Sequence, residues 1–316
     1  LWVTANEDEA KKLSKSRPDA ARYEVESLCT EFGIDVMRWW VSSLAYENDV
    51  KVDVELFALA GESYRKIRNT LRYMLSTAGS AATPAAPATA APAAEPTSID
   101  AWALGEFDRL VHQVSGAFER YEFQAAHKAL FDFCNDTMSA TYLAAVKDRL
   151  YCDAATSPRR MRTQATIRFM ADGLCRLLAP LLPHTADEAW RTLHGVPPAD
   201  PASVHTQLFP TPSGASPDTR WQLALQEIEK ARTALEKAKS SLGVENPLDA
   251  GVVLGDSGGS FAAFDRVDLA DLLGVSEVTL EAGATAVRVI DLRERPRCER
   301  SWRRDGTVKK RSDGGM

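Results

Sequence analysis

No run of about 18 apolar residues occurs in the 316-residue sequence, so no helix of the chain is expected to cross a membrane. Cysteine is scarce: Cys29, Cys134, Cys152, Cys175 and Cys298 are odd in number, scattered, and form no CxxC pair. That pattern argues against a disulfide scaffold and fits a reducing, cytoplasmic setting. The five histidines, His112, His127, His184, His194 and His205, show no spacing suited to a metal ligand pair or a catalytic base. Neither charge sign dominates, with 38 Lys+Arg against 44 Asp+Glu and a net charge of −6. Internal repeats are absent. With 45% hydrophobic and 26% charged residues, the chain has the composition of a globular protein with a buried core. Its length suggests two or three domains.

No charged-then-apolar leader opens the sequence; Leu1-Trp2-Val3 reads as the middle of an element. Asp313 to Met316 stop in a loop, and the expectation is an internal piece of a longer protein. Two composition breaks divide it. Between Ala78 and Thr97 ten of twenty residues are Ala and four are Pro, which predicts an extended, solvated linker. Gly195 to Pro217 is a second, Pro-rich linker.

Around these breaks the periodicity is helical. Leu56, Ala60, Tyr64, Ile67, Leu71 and Met74 form one apolar stripe, and Ala103, Phe107, Leu110, Val114, Phe118 and Tyr121 another. Phe123 to Leu150 predicts one long helix, with Leu130, Phe133, Thr137, Thr141 and Val146 inward. Gln164 to Leu181 predicts a further helix, closed by Pro183. Thr185-Ala186-Asp187-Glu188 reads as a capping box, its acidic pair suiting a helix N-terminus. Trp221 to Leu242 predicts a later helix, ended by Gly243 at C′. Beyond Pro247 short strands are expected at Gly251–Leu254, Val275–Leu280 and Ala286–Leu292, with a helix at Leu269–Leu273. Trp39, Trp40, Trp102, Trp190 and Trp221 lie on apolar stripes and are expected in the core.

The most specific string is Lys12-Leu13-Ser14-Lys15-Ser16, followed by Phe32 to Trp40, Tyr64 to Tyr73, Lys147 to Cys152 and Leu178 to Trp190. In that order, over nearly the whole chain, these strings resemble the carboxy-terminal part of the isoleucyl-tRNA synthetases, class I aminoacyl-tRNA synthetases. Lys12 to Ser16 matches the family's KMSKS loop, with Leu13 in place of Met. The resemblance implies a mainly α fold: an anticodon-binding helix bundle, preceded by the end of a class I catalytic domain and followed by a small α/β C-terminal module. The corresponding boundaries are 1–53 for the catalytic end, 54–194 for the bundle with its 78–97 linker, and 195–217 for the Pro-rich linker. The C-terminal helix and α/β module take 218–292, and 293–316 is a basic tail.

It further implies ATP-dependent, Mg2+-assisted activation of isoleucine and its transfer to tRNA(Ile), by a monomer that needs no membrane. Lys12, Ser14, Lys15 and Ser16 would form the ATP loop, with Lys15 catalytic because pyrophosphate departure develops charge that a placed cation stabilises. The piece alone would be inactive, since the family's HIGH motif and editing domain precede the KMSKS loop. Arg65, Arg68 and Arg72 on the Tyr64–Tyr73 helix, and Arg159 and Arg160 at a helix start, are the candidates for tRNA phosphates. A charged helix face is ordinarily just solvated, and that plainer role stands beside the functional one. Valyl- or leucyl-tRNA synthetases share the bundle, and a freestanding RNA-binding helical module is the alternative from another class; the Lys12 to Ser16 loop argues against the latter.

From Arg293 to Met316 nine Lys/Arg face four Asp/Glu, a basic segment on an acidic chain that suggests a nucleic-acid contact. By the resemblance this is the remnant of a zinc-ribbon-like module, with Cys298 at the first ligand knuckle. Ser301 stands where the second cysteine would be, so zinc is not expected.

Overall fold

The computed structural model describes residues 2–4, 10–12, 20–48, 50–79, 91–256, 258–259 and 261–309. It divides into two compact units, one of Leu1–Ala91, Glu106–Thr137 and Ala165–Ser213, the other of Pro92–Gly105, Met138–Gln164 and Gly214–Met316.

The first unit opens with strands β1 (Trp2–Thr4) and β2 (Ala10–Lys12), joined by β3 (Lys51–Val52) in the order β2-β1-β3, β1 antiparallel to β2 and parallel to β3. Helices α1 (Val25–Phe32) and α2 (Ile34–Ser42) meet at Gly33, whose φ of 93° only glycine adopts at low cost. Helix α3 (Val54–Thr77) starts at Asp53, whose carboxylate accepts the Glu55 N–H at 3.1 Å. Its buried stripe runs through Phe57, Ile67, Leu71 and Met74. The expected stripe holds from Ile67 onward, but in the first turns Leu56 and Ala60 give way to Phe57 and Gly61. The bulkier Phe57 takes the core position against Trp40 and Phe32.

Thr185 is not a capping residue. Helix α8 (Pro183–His194) begins two residues earlier, with Pro183 in its first turn, where the missing N–H costs nothing. Its free donors are served from a distance by Asp35 of α2, a buried carboxylate that accepts the Thr185 N–H at 2.7 Å and its hydroxyl at 2.6 Å. Tyr64 Oη lies 2.8 Å from the same Thr185 hydroxyl. Asp187 instead bonds Ser203 at 2.7 Å, the Val204 N–H at 3.0 Å and Arg191 at 2.6 Å. Burial would raise its pKa, and these donors together hold it below the ordinary value.

In place of one long helix after Phe123, the chain forms α5 (Phe123–Asp132), a π-helical stretch (Phe133–Leu143) and α6 (Ala144–Cys152). Leu130, Cys134, Met138, Tyr142, Val146 and Leu150, each four residues after the last, are all buried. At 3.6 residues per turn an α-helix rotates about 40° too far at each four-residue step. The wider i→i+5 turns absorb that drift and keep one face inward. Thr137 and Thr141, expected inward, are only half-buried.

His127 of α5 stacks on Trp39, ring centroids 3.7 Å apart, with Nδ1 3.0 Å from Ser42 Oγ. Burial lowers its pKa from 6.5 to about 4, so the ring stays neutral in the fold. All five tryptophans named above are buried.

The second unit holds α6, helix α9 (Trp221–Leu242), helix α10 (Arg266–Leu273) and strands β4 (Ala250–Asp256), β5 (Glu277–Ala282) and β6 (Arg288–Asp291). The sheet order is β5-β4-β6, with β4 parallel to β5 through the α10 crossover and antiparallel to β6. Gly243, at φ 62°, follows the last residue of α9 as expected. The N-terminal residues of α4 (Ile99–Glu119) and α7 (Pro158–Leu178) also belong here.

At the centre of this unit lies Arg149, its side chain fully buried. It donates to Asp268 and to Asp271, each at 2.5 Å, and stands 4.0 Å from Asp100. Asp100 also accepts from Tyr142 at 2.6 Å, Arg162 at 2.7 Å and Thr163 at 2.9 Å. Asp268 caps α4 by accepting the Ile99 N–H at 2.9 Å. Burial works against the guanidinium's charge, and the three carboxylates outweigh it, holding its pKa above the ordinary value.

Arg149→Ala strands buried carboxylates without their cation and is expected to cost about 3–5 kcal/mol in urea unfolding. Asp35→Ala removes the α8 cap and should cost about 1 kcal/mol by the same measurement; no change in midpoint would contradict that role. For His127, the unfolded state binds more protons than the fold between pH 6.5 and about 4. The stability it allows is complete above pH 6.5 and is lost as pH falls toward 4, so His127→Gln should flatten the acid slope of the unfolding midpoint.

Candidate nucleic-acid interface

Lys12 ends β2, and Leu13 to Ser16, with candidates Ser14, Lys15 and Ser16, lie outside the described residues. The basic residues of α3 are on its outer face: Arg65, Lys66, Arg68 and Arg72 are all exposed. Arg65 lies 3.9 Å from Glu62, a pair well exposed on both sides and therefore weak. Lys66 sits over the Phe131 ring, 5.5 Å from its centroid.

Arg68 and Arg72 differ from these. One turn apart on α3, they line a shallow groove of about 420 Å³ together with Leu71, Leu75, Thr185, Glu188 and Thr192. Among the described residues no carboxylate comes within 4.0 Å of either guanidinium. One wall is α3; the other is α8, whose start is fixed by Asp35 through Thr185. Two long cations with free forks at one-turn spacing beside hydroxyls are suited to phosphate oxygens.

Arg159 and Arg160 are arranged otherwise. Arg159 grips the Asp153 carboxylate with contacts of 3.0 and 3.1 Å, and Arg160 donates to the Asp153 carbonyl at 2.7 Å. Both are half-buried, so a phosphate would have to displace existing partners.

The segment after Arg293 is not a free basic tail through Lys309. Arg293 pairs with Asp291 at 2.7 Å, Arg295 with Glu277 at 2.5 Å and Arg304 with Asp249 at 2.6 Å. Arg303 bonds Asp271 and lies 3.6 Å from Asp148. Much of the local positive charge is thus spent on carboxylates of the same unit, which the charge count along the sequence could not show. Arg297 stays exposed, 5.5 Å from the Trp302 ring centroid. Residues 310–316 lie outside the description.

Around Cys298 the donor set does not fit a closed zinc site. Ser301 donates its N–H to Cys298 Sγ at 3.5 Å, and a neutral serine hydroxyl does not replace a thiolate in a four-ligand shell. Among the described residues no group of three or more His, Cys, Asp or Glu could hold a metal ion. His194 bonds the buried Asp172 at 2.7 Å, and His205 faces the Pro183 carbonyl at 3.1 Å. Asp35 and Arg149 fall inside the Phe32–Trp40 and Lys147–Cys152 strings, but the sequence assigns neither its role: Asp35 stands between Ile34 and Val36, while Arg149 follows Lys147 and Asp148 and looks like one more surface charge.

Residues 100–254 match the family model described as the anticodon-binding domain of tRNA ligase. An isoleucine–tRNA ligase of Desulfotalea psychrophila is 32% identical over 320 residues, covering 95% of this chain and 34% of that protein. Its counterpart from Kosmotoga olearia is 30% identical over 314 residues, covering 94% and 33%. That of Desulfitobacterium hafniense is 34% identical over 254 residues, covering 78% and 27%. The chain thus spans about a third of the length of the curated relatives it matches. A solved structure, the ternary complex of Agrobacterium radiobacter K84 agnB2 LeuRS with tRNA and LeuAMS, superposes with a TM-score of 0.43 at 15% identity, covering 75% and 23%. Residues 100–254 thus match an anticodon-binding domain of tRNA ligase, within a chain that is similar over most of its length to part of the isoleucine–tRNA ligases.

Proposed function

We propose that this chain is the tRNA-binding segment of an isoleucine–tRNA ligase, and that Arg68 and Arg72 bind tRNA phosphates along the α3–α8 groove. The observation that carries the reading is the 32% identity to an isoleucine–tRNA ligase over 95% of the chain. The anticodon-binding domain match supports tRNA as the partner. In the whole enzyme the isoleucine carboxylate attacks the α-phosphorus of ATP, the bond to the β-phosphate breaks, and pyrophosphate leaves. A hydroxyl of the tRNA 3′-terminal ribose then attacks the aminoacyl carbonyl carbon, the acyl–phosphate bond breaks, and AMP leaves. Lys12, Ser14, Lys15 and Ser16 would border ATP, and Lys15 would meet the charge that grows on the departing pyrophosphate. Mg2+ would accompany ATP as a further counter-charge.

Arg68 and Arg72 are favoured over Arg159 and Arg160 because their guanidiniums are free, while Asp153 occupies the other pair. Arg65 stands near the same helix face and would add charge without a fixed geometry.

Titrating labelled tRNA at several salt concentrations tests this. Affinity should fall steeply with salt, and Arg68→Ala or Arg72→Ala should each reduce the log–log slope by about 1. A slope unchanged in both variants would remove the groove from the interface. In the full-length enzyme, Lys15→Ala should slow ATP–pyrophosphate exchange by roughly a hundredfold. Wild-type exchange rates in that variant would exclude the role of Lys15.

A further inference from the structure

Glu188 lacks the role its place in the sequence suggests. In a capping box its carboxylate would serve the backbone at the start of α8, but Asp35 takes the Thr185 N–H at 2.7 Å. Its neighbour Asp187 is engaged by Ser203, Val204 and Arg191. Among the described residues no hydrogen bond or ion pair engages the exposed Glu188 carboxylate. It stands in the second turn of α8, beyond the stretch where the helix dipole rewards a negative charge.

This carboxylate lines the same groove as Arg68 and Arg72. The groove's three hydroxyls already donate within the protein. Ser76 donates to the Tyr73 carbonyl at 2.8 Å, Thr192 to the Glu188 carbonyl at 2.8 Å, and Thr185 to the Asp35 carboxylate at 2.6 Å. Leu71, Leu75 and Ala189 supply apolar lining. What remains uncommitted is two guanidiniums on α3 and one charged acceptor on α8, with more than 4.0 Å between the carboxylate and either cation. An exposed pair of this kind would gain little by closing on itself, so a ligand can take both partners at small cost.

A plain phosphate track has no use for a carboxylate, which repels the backbone it borders. The ligand that suits this set carries phosphates and, on the same backbone, a hydroxyl that can donate. A ribonucleotide chain does so, whereas a deoxyribonucleotide chain offers the phosphates without the donor. We propose that Glu188 accepts a hydrogen bond from a ribose 2′-hydroxyl of tRNA held by Arg68 and Arg72, and so selects RNA over DNA in the α3–α8 groove. The inference rests on phosphate binding by those two arginines. On RNA the charge-assisted bond offsets the repulsion between Glu188 and the phosphates. On DNA the repulsion stands alone. Discrimination thus comes from one attractive contact and one uncompensated charge.

The test uses the full chain and a tRNA(Ile) transcript carrying scattered 2′-deoxynucleotides, each marked by a phosphorothioate so that iodine cleavage reads its place. Transcripts with marked ribonucleotides serve as the reference, and bound and unbound molecules are separated before cleavage. With the wild-type chain, deoxy substitution along a single stretch of backbone should deplete the bound fraction, and in Glu188→Ala that depletion should vanish. The preference for the transcript over its all-deoxy copy should fall about tenfold in Glu188→Ala. The salt slope should stay unchanged in this variant, because the phosphate contacts persist. Glu188→Gln keeps a carbonyl acceptor and should retain the depletion at the same stretch. An unchanged pattern in Glu188→Ala, or an equal gain in affinity for RNA and DNA, would overturn the proposal. So would depletion by inosine in place of guanosine without depletion by deoxy substitution, which assigns the carboxylate to a base. A salt slope unmoved by Arg68→Ala and Arg72→Ala is a separate failure, that of phosphate binding in the groove, and removes the role of Glu188 with it.

Discussion

A buried guanidinium holds the second unit together. Arg149 gathers Asp268 and Asp271 from α10 and Asp100 from α4, and those carboxylates in turn recruit Arg162, Thr163, Tyr142 and Arg303. None of these groups could be buried alone, because each would lose its hydration without a counter-charge. The cluster therefore forms as a set. Its members come from α4, the π-helical stretch, α6, α7, α10 and the segment after β6, so one electrostatic condition links stretches far apart in sequence. A core of matched apolar residues would bury them as readily, but it would not fix which segment pairs with which as sharply as paired charges do.

Much of this was readable in the sequence wherever a pattern is local. Ile67, Leu71 and Met74 repeat at helical spacing because α3 has one buried side, and Gly243 marks the end of α9 because only glycine takes its backbone angle cheaply. The tryptophans lay on apolar stripes and are in the core. Long-range pairing left no such trace. Thr185 followed by Glu188 has the spelling of a capping box, yet Pro183 starts the helix earlier and Asp35, 150 residues away, supplies the cap. The same blindness made the segment after Arg293 look like a free cationic arm, when Glu277, Asp271 and Asp249 pair with its Arg295, Arg303 and Arg304.

Exposed cations and paired cations thus have different physical standing in one acidic chain. On α3, Arg68 and Arg72 keep their donors turned to solvent beside a groove, at little cost because water serves them. Near the start of α7, Arg159 pairs with the Asp153 carboxylate and Arg160 donates one N–H to the Asp153 carbonyl. Sequence composition weighs all four alike. Only their partners separate a group that can accept a new anion from one that already has its own.

The four-residue rhythm of Leu130, Cys134, Met138, Tyr142, Val146 and Leu150 has a consequence for how this helix tolerates change in length. Each residue of an α-helix turns the chain by about 100°, so one deletion would swing every later side chain by more than a quarter circle. Arg149 would leave its carboxylates and Tyr142 its Asp100. The widened turns of Phe133–Leu143 work like the vernier on a scale, adding the small correction that two otherwise mismatched periods need to stay aligned. Within this stretch the number of residues is constrained as tightly as their identity, and a gain or loss of a single position would be a change of partner for everything beyond it.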